Sequence, residues 1–216
     1  MRVQIVLFDG FDPLDVVAPY EVLWAGGLAS GGAVTVELVS AEGPRDVVSG
    51  SGGLVLRATA GLVPDRPGVV LVPGAAGPLT GPEGADTVPI LLGRTLETGL
   101  PALLARALDC PHVTVAAVCG GGLVLALAGL IEGRPAVTHH LGQDLLDATG
   151  AVAVSARVVD DGDLVTAGAV TSGLDLGLYL LERELGPRIA LAVEELFAYE
   201  RRGTVWRRHG VEAQPW

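Results

Sequence analysis

Residues Thr114 to Leu130 read TVAAVCGGGLVLALAGL: a β-branched apolar run, one cysteine, three glycines, then small and apolar residues. The first run reads as a strand and the last as a helix, so Cys119 falls on the bend between them. That context is a nucleophile elbow with Cys in place of Ser. Glycines belong there because a nucleophile on a sharp turn sits in strained backbone space and its neighbours must be small. The helix that follows aims N–H groups and its positive end at the sulfur, which predicts a lowered thiol pKa and a thiolate. The same N–H groups, Gly120 among them, can hold an oxyanion. The alternative is an inert core thiol, since free cysteine is among the most buried residue types. The pattern leaves both readings open. Cys110, before Pro111 and outside any such turn, reads as an ordinary thiol.

Three further groups could join Cys119. VLVPGAAG is a second strand running into a glycine turn, and ligands of open parallel sheets bind at the carboxyl ends of strands. Gly74 and Ala75 can therefore offer backbone N–H groups to the same cleft, or simply make a connection. Asp15 and Glu21 follow the first strand at that same end of the sheet. Either can carry a proton to or from the thiol, or serve instead as a cap or a dipole complement. Of the histidines, His139 is the first choice for lining the pocket, beside His140; His112 and His209 lie elsewhere. A Cys–His pair would be the usual base arrangement, although no His follows Cys119 directly.

The elements that must position these groups are legible from apolar runs and turn residues. VQIVLF (Val3 to Phe8), VTVELVS (Val34 to Ser40), GVVLV from Gly68 and HVTVAAV read as strands, nearly all apolar and buried on both faces. GLVLRAT (Gly53 to Thr59) is a short strand or hairpin arm. DGFDPLDVVAP reads as a loop, with a helix beginning at Pro19. TVPILLGRTLETGLPALLARAL has helical spacing, with Pro101 as a break or restart. A helix follows the two histidines. VVDDGDLVTAG reads as a hairpin turning at Asp161-Gly162, and two more helices follow. Strand and helix alternate, which predicts an α/β fold with a mostly parallel sheet covered on both faces.

The 216 residues suit one domain, assigned here to 1–200, with 201–216 as a basic, irregular tail. Aromatics make up only 4% of the chain, so the core must be built from Val, Leu, Ile and Ala. A net charge of -11 argues against a nucleic-acid surface, which needs a basic patch. Two cysteines make neither a disulfide framework nor a metal site. No secretory signal is read at the N-terminus, and no apolar run reaches the roughly 18 residues of a membrane span. A cytoplasmic protein, with no membrane or nucleic-acid partner and no metal, is the expectation.

Four stretches, QIVLFDGFDPLDVVAPYEVL, LVPGAAG, VAAVCGGGLVLALAGLIEGRPAVTHH and LVTAGAVTSGLDLGLYLLE, together resemble the ThiJ/PfpI-like family of the class I glutamine amidotransferase-like superfamily. The resemblance runs from Met1 to about Phe197, in the family's order. The isonitrile hydratase branch and the sensing domains of certain AraC-type regulators look most similar. The resemblance implies a flavodoxin-like three-layer sandwich, a homodimer, no cofactor, and a cysteine at the elbow, onto which Cys119 falls. Asp15 falls on the acid that isonitrile hydratases need beside the thiol, and Glu21 lies where many relatives carry the acid bonded to the cysteine. Gly74 and Ala75 match the oxyanion-side turn, with Gly120 supplying the other N–H. In the implied reaction the thiolate attacks the terminal isonitrile carbon, the acid protonates that carbon, and water releases an N-substituted formamide.

The sequence departs from the pattern at Gly120, where isonitrile hydratases typically have Thr and glyoxalase- and protease-like relatives have His. PGA also replaces the family's PGG turn. The expectation is a cysteine-dependent hydratase or hydrolase of a small molecule such as an isonitrile. The alternatives are a ligand or redox sensor using Cys119, and a glyoxalase or deglycase acting on reactive carbonyls.

Overall fold

A computed structural model describes residues 1–211. In chain order the elements are β1 (Arg2–Val6), α1 (Pro13–Ala29), β2 (Thr35–Ser40), β3 (Arg45–Val48), β4 (Val55–Ala58), β5 (Ala60–Gly61), β6 (Gly68–Val72), α2 (Val88–Thr95), α3 (Leu100–Leu108), β7 (Val113–Val118), α4 (Gly121–Leu127), β8 (Pro135–Ala136), α5 (Gln143–Ala148), β9 (Val152–Ala153), β10 (Val158–Asp160), β11 (Leu164–Ala167), α6 (Ser172–Leu185), α7 (Pro187–Phe197) and β12 (Trp206–Arg207). Eight strands form one sheet in the order β12-β10-β11-β7-β6-β1-β2-β5. All neighbours in it are parallel except β10 and β11.

The central strands are apolar because both their faces are covered. Val70, Leu71 and Val72 of β6 and Val115 to Val118 of β7 are all fully buried. Helices α1, α6 and α7 pack together as one layer, and α2 with α4 and α5 as another. Glycines let α1 and α6 approach closely: a Cβ at Gly177 would lie 2.8 Å from Val22 Cγ1, and one at Gly173 would lie 2.9 Å from Pro19 Cδ. This is the flavodoxin-like sandwich expected from the sequence.

Helix α1 begins one turn and a half earlier than Pro19 suggests. Asp12 caps it, with Oδ1 accepting from Leu14 N at 2.9 Å, and Pro13 takes the first-turn position. Pro19 sits inside the helix, where it withholds one N–H without ending it. The turn residues of DGFDP had masked an earlier start with the same Pro-at-first-turn logic. Pro101 does restart a helix: α2 and α3 are separate and bent by 70°. The hairpin at Asp161-Gly162 forms as expected, with Gly162 at φ 90°. GLVLRAT supplies β4, which pairs with β3 in a hairpin outside the main sheet.

The segment after residue 200 is less irregular than its composition suggests. Trp206 and Arg207 add β12 to the edge of the main sheet, in parallel with β10. Arg208 reaches back to Asp161 at 2.9 Å. Residues 212–216 of the predicted tail lie outside the described residues. What ties this segment down is Asp175 in the first turn of α6, only 2% exposed. Its carboxylate accepts from Arg157 Nε at 2.6 Å, Tyr199 OH at 3.1 Å and the Arg202 backbone N–H at 2.7 Å. Among the described residues no single helix is long and apolar enough to cross a membrane.

Removing Asp175 strands the Arg157 guanidinium and frees the Arg202 amide. Asp175→Ala is expected to destabilise the chain by about 2–4 kcal/mol. Trypsin should then cut faster at Arg201 and Arg202, measured as the half-life of the intact chain beside its urea midpoint. An unchanged midpoint and cleavage rate would show that the tail is held without this carboxylate.

Candidate functional site

Cys119 stands between the end of β7 and the start of α4, at φ 54°. A left-handed backbone is costly for any residue with a Cβ and needs support from its surroundings. That support comes from three sides. Cys119 N donates to Ala167 O of β11 at 2.9 Å. The Thr138 hydroxyl donates to the Cys119 carbonyl at 2.7 Å, fully buried. Gly121 lets α4 start directly over the end of β6, since a Cβ there would fall 2.1 Å from Val72 O. The predicted elbow is formed. Thr138 escaped the sequence reading; its one signal was its place just before His139 in PAVTHH.

Asp15 enters from the first turn of α1 and is completely buried. Its Oδ2 accepts from Gly74 N at 2.9 Å. Gly74 must be glycine for this approach, because a Cβ would come within 2.5 Å of Gly120 N and 2.9 Å of the same carboxyl oxygen. The bond also engages the Gly74 N–H, so it is not a free oxyanion donor as the sequence suggested. Ala75 N and Gly120 N remain. Ala75 N donates to no backbone acceptor among the described residues, and Gly120 N faces the Cys119 sulfur.

Asp15 Oδ1 is buried with no hydrogen-bond partner among the described residues. The carboxyl and the thiol nonetheless lie close enough to shift each other's titration. Burial, then the charge of Asp12, pushes Asp15 up to about 8 from its ordinary 3.8, against the lowering effect of the Gly74 N–H. Burial, then the Asp15 carboxyl, pushes the Cys119 thiol well above its ordinary value. This direction runs against the thiolate expected from the elbow alone. The Gly120 N–H does favour the anion, but desolvation and two acids outweigh it. Both groups are thereby pushed toward their protonated forms.

Glu21 is not at this site. It is exposed, in a groove with Tyr20, Trp24, Leu196 and Phe197. The early start of α1 explains this: six residues past Asp15 is about 9 Å further along the axis and roughly 120° around it. Asp12 takes the second acid position instead, lining the cavity above Cys119. Sequence reading missed it as a loop residue, although its place before Pro13 was a cap signal.

That cavity measures about 570 Å³ and reaches Cys119, Gly120 and Ala75. His139 lines it, as expected, 4.1 Å from the ring of His140. Its Nδ1 accepts from Leu141 N at 3.2 Å, which leaves the proton of the neutral ring on Nε2. Burial and His140 hold its pKa below the ordinary value. His112 and His209 are exposed and outside the cavity, and Cys110 lies against Asp65 O at 3.8 Å. Among the described residues no three His, Cys, Asp or Glu side chains are grouped to hold a metal ion. Chemically the site offers a buried acid, a thiol, the backbone N–H groups of Ala75 and Gly120, and an apolar chamber.

Comparison with known proteins follows the same lines. The DJ-1/PfpI family model matches residues 102–183, which span the elbow and α6. The isonitrile hydratase of Pseudomonas putida is 36% identical over 203 residues, 92% of this chain and 78% of that protein. Among solved structures, a ThiJ/PfpI family protein from Pseudomonas syringae superposes with a TM-score of 0.76 at 23% identity, covering 94% of this chain and 76% of that one. Drosophila melanogaster DJ-1beta does so with a TM-score of 0.75 at 20% identity, covering 92% and 98%. Elbow, sheet order and sequence identity along nearly the whole length converge: the chain belongs to the DJ-1/PfpI family.

Proposed function

We propose that this protein hydrates isonitriles to N-substituted formamides, with Cys119 as nucleophile and Asp15 as proton carrier. The observation that carries the reading is the buried pair itself: a carboxyl and a thiol side by side, both shut from water and both shifted toward their protonated forms, with one carboxyl oxygen unpartnered among the described residues. An isonitrile carbon carries a lone pair and becomes electrophilic once protonated. It therefore needs an acid first and a nucleophile second, both at the same atom. Asp15 gives its proton to that carbon, and Cys119 sulfur bonds to it. The thiol proton passes to the carboxylate just formed, so the net step is addition of S–H across the carbon. Water then adds to the carbon–nitrogen double bond of the thioimidate. The carbon–sulfur bond breaks, the sulfur regains a proton, and R–NH–CHO leaves. Ala75 N and Gly120 N are placed to stabilise negative charge that develops during these steps. The similarity to the Pseudomonas putida isonitrile hydratase supports the same reading.

The neutral state of the thiol weighs against the two alternatives. Redox sensing depends on an accessible thiolate, and Cys119 is only 6% exposed and protonated. Attack on a carbonyl by a glyoxalase route needs the thiolate as well. A Cβ at Gly120 would meet Gly74 Cα at 3.3 Å and Leu92 Cδ1 at 3.4 Å, so a larger residue there would crowd the Gly74 turn.

Purified protein should convert cyclohexyl isonitrile to N-cyclohexylformamide, and Cys119→Ala should reduce this to background, read by product formation. Wild-type protein with no turnover across alkyl and aryl isonitriles would sink the reading. Asp15→Asn keeps the shape and an acceptor for Gly74 N–H but has no acidic proton. It should lower kcat/KM by roughly 10²–10⁴-fold, read by product formation.

The pH dependence has a definite sign. Between the ordinary 3.8 and about 8 the folded chain keeps the Asp15 proton that the unfolded chain has lost. Stability contributed by this group therefore declines as pH rises through that window. Activity should be level below about pH 8 and fall above it as the acid ionises. Urea midpoints from pH 5 to 9 should fall less steeply for Asp15→Asn than for wild type; parallel curves would refute the raised Asp15 value.

A further inference from the structure

The chamber above Cys119 has a charge pattern that the reaction does not require. Its walls are Leu79, Val88, Leu92, Leu123, Leu127 and Leu145, among others, and it contains no arginine. The chain has no lysine at all: its 14 basic residues are all arginines. Arg94, on the helix that contributes Val88 and Leu92, is paired with Asp86 at 2.7 Å. Asp12 adds an acidic side chain to the wall, and the reacting pair below it brings no cation. His139 offers one neutral N–H.

We infer that this cavity selects isonitriles bearing bulky, uncharged apolar substituents and rejects those whose substituent carries a carboxylate. The inference rests on the hydratase reading above. Its reasons are independent of the chemistry at the isonitrile carbon. The substituent points away from the sulfur, up the chamber, because the reacting carbon is terminal. A volume of about 570 Å³ accommodates a ring system rather than a methyl group. Leucine walls gain from burying apolar area. A carboxylate there loses water and finds no cation, and it faces the carboxylate of Asp12. The net charge of -11 repels it before it arrives.

Three substrates separate charge from size: cyclohexyl isonitrile, methyl isocyanoacetate, and the isocyanoacetate anion, which differs from its ester by the negative charge. The neutral pair should both be turned over, with the cyclohexyl compound preferred. The anion should fall below the ester by roughly 100-fold in kcat/KM. Leu145→Arg, at the half-exposed mouth of the chamber, should raise the anion-to-ester ratio by about tenfold or more. An anion used as well as its ester would overturn the selectivity and leave the hydratase reading intact. If none of the three reacts, the hydratase reading fails, and the products still test the chamber. N-cyclohexylformamide and the methyl ester of N-formylglycine should then bind more tightly than N-formylglycine, read by titration. Equal binding of N-formylglycine and its ester would overturn the inference.

Discussion

A carboxyl group cut off from water lies against the sulfur of Cys119, and most of the architecture can be read as the means of keeping it there. Asp15 accepts from Gly74 N through one oxygen, and its other oxygen is buried without a geometric hydrogen-bond partner among the described residues. Burial of this kind is unfavourable for an ion, so the group keeps its proton to about pH 8 and raises the thiol beside it. Two buried groups that both favour their protonated forms do not cancel each other as an ion pair would.

The scaffold meets this demand by bringing three strand ends together. β6 ends in the Gly74 turn, β7 ends at Cys119, and β1 leads into the helix that carries Asp15. These strands are neighbours in the sheet, so their carboxyl ends lie side by side. Glycines then remove the Cβ atoms that would hold the three segments apart, at Gly74 against Gly120 and at Gly121 against Val72. Thr138 fastens the elbow carbonyl from outside the sheet, which stabilises Cys119 in its left-handed backbone. The tail is tied down at the far edge of the sheet by Asp175, an acid with the opposite treatment: three donors surround it.

The strands and the elbow were legible because their signal is local. An apolar run longer than four residues with no polar face marks a buried strand, and a Cys between such a run and Gly-Gly marks a bend. The start of α1 was misread because Pro13 and Pro19 satisfy the same rule, and only the cap formed by Asp12 separates them. That shift moved Glu21 around the helix and out of the site. The tail was read as irregular because two residues of strand cannot announce themselves; β12 exists only because β10 offers an edge.

From the residues themselves came the α/β class, the elbow with Cys119 on its bend, and the acid Asp15 after the first strand. These follow from hydrophobic period and from glycines at fixed offsets, which depend on nearest neighbours in the chain. Tertiary structure decided the rest: that Gly74 N–H serves Asp15, that Asp12 and not Glu21 lines the cavity, and that burial pushes the thiol pKa up. Each of these depends on how far water is excluded and which charges approach across the fold. Desolvation is a property of the assembled core, and no spacing along the chain encodes it.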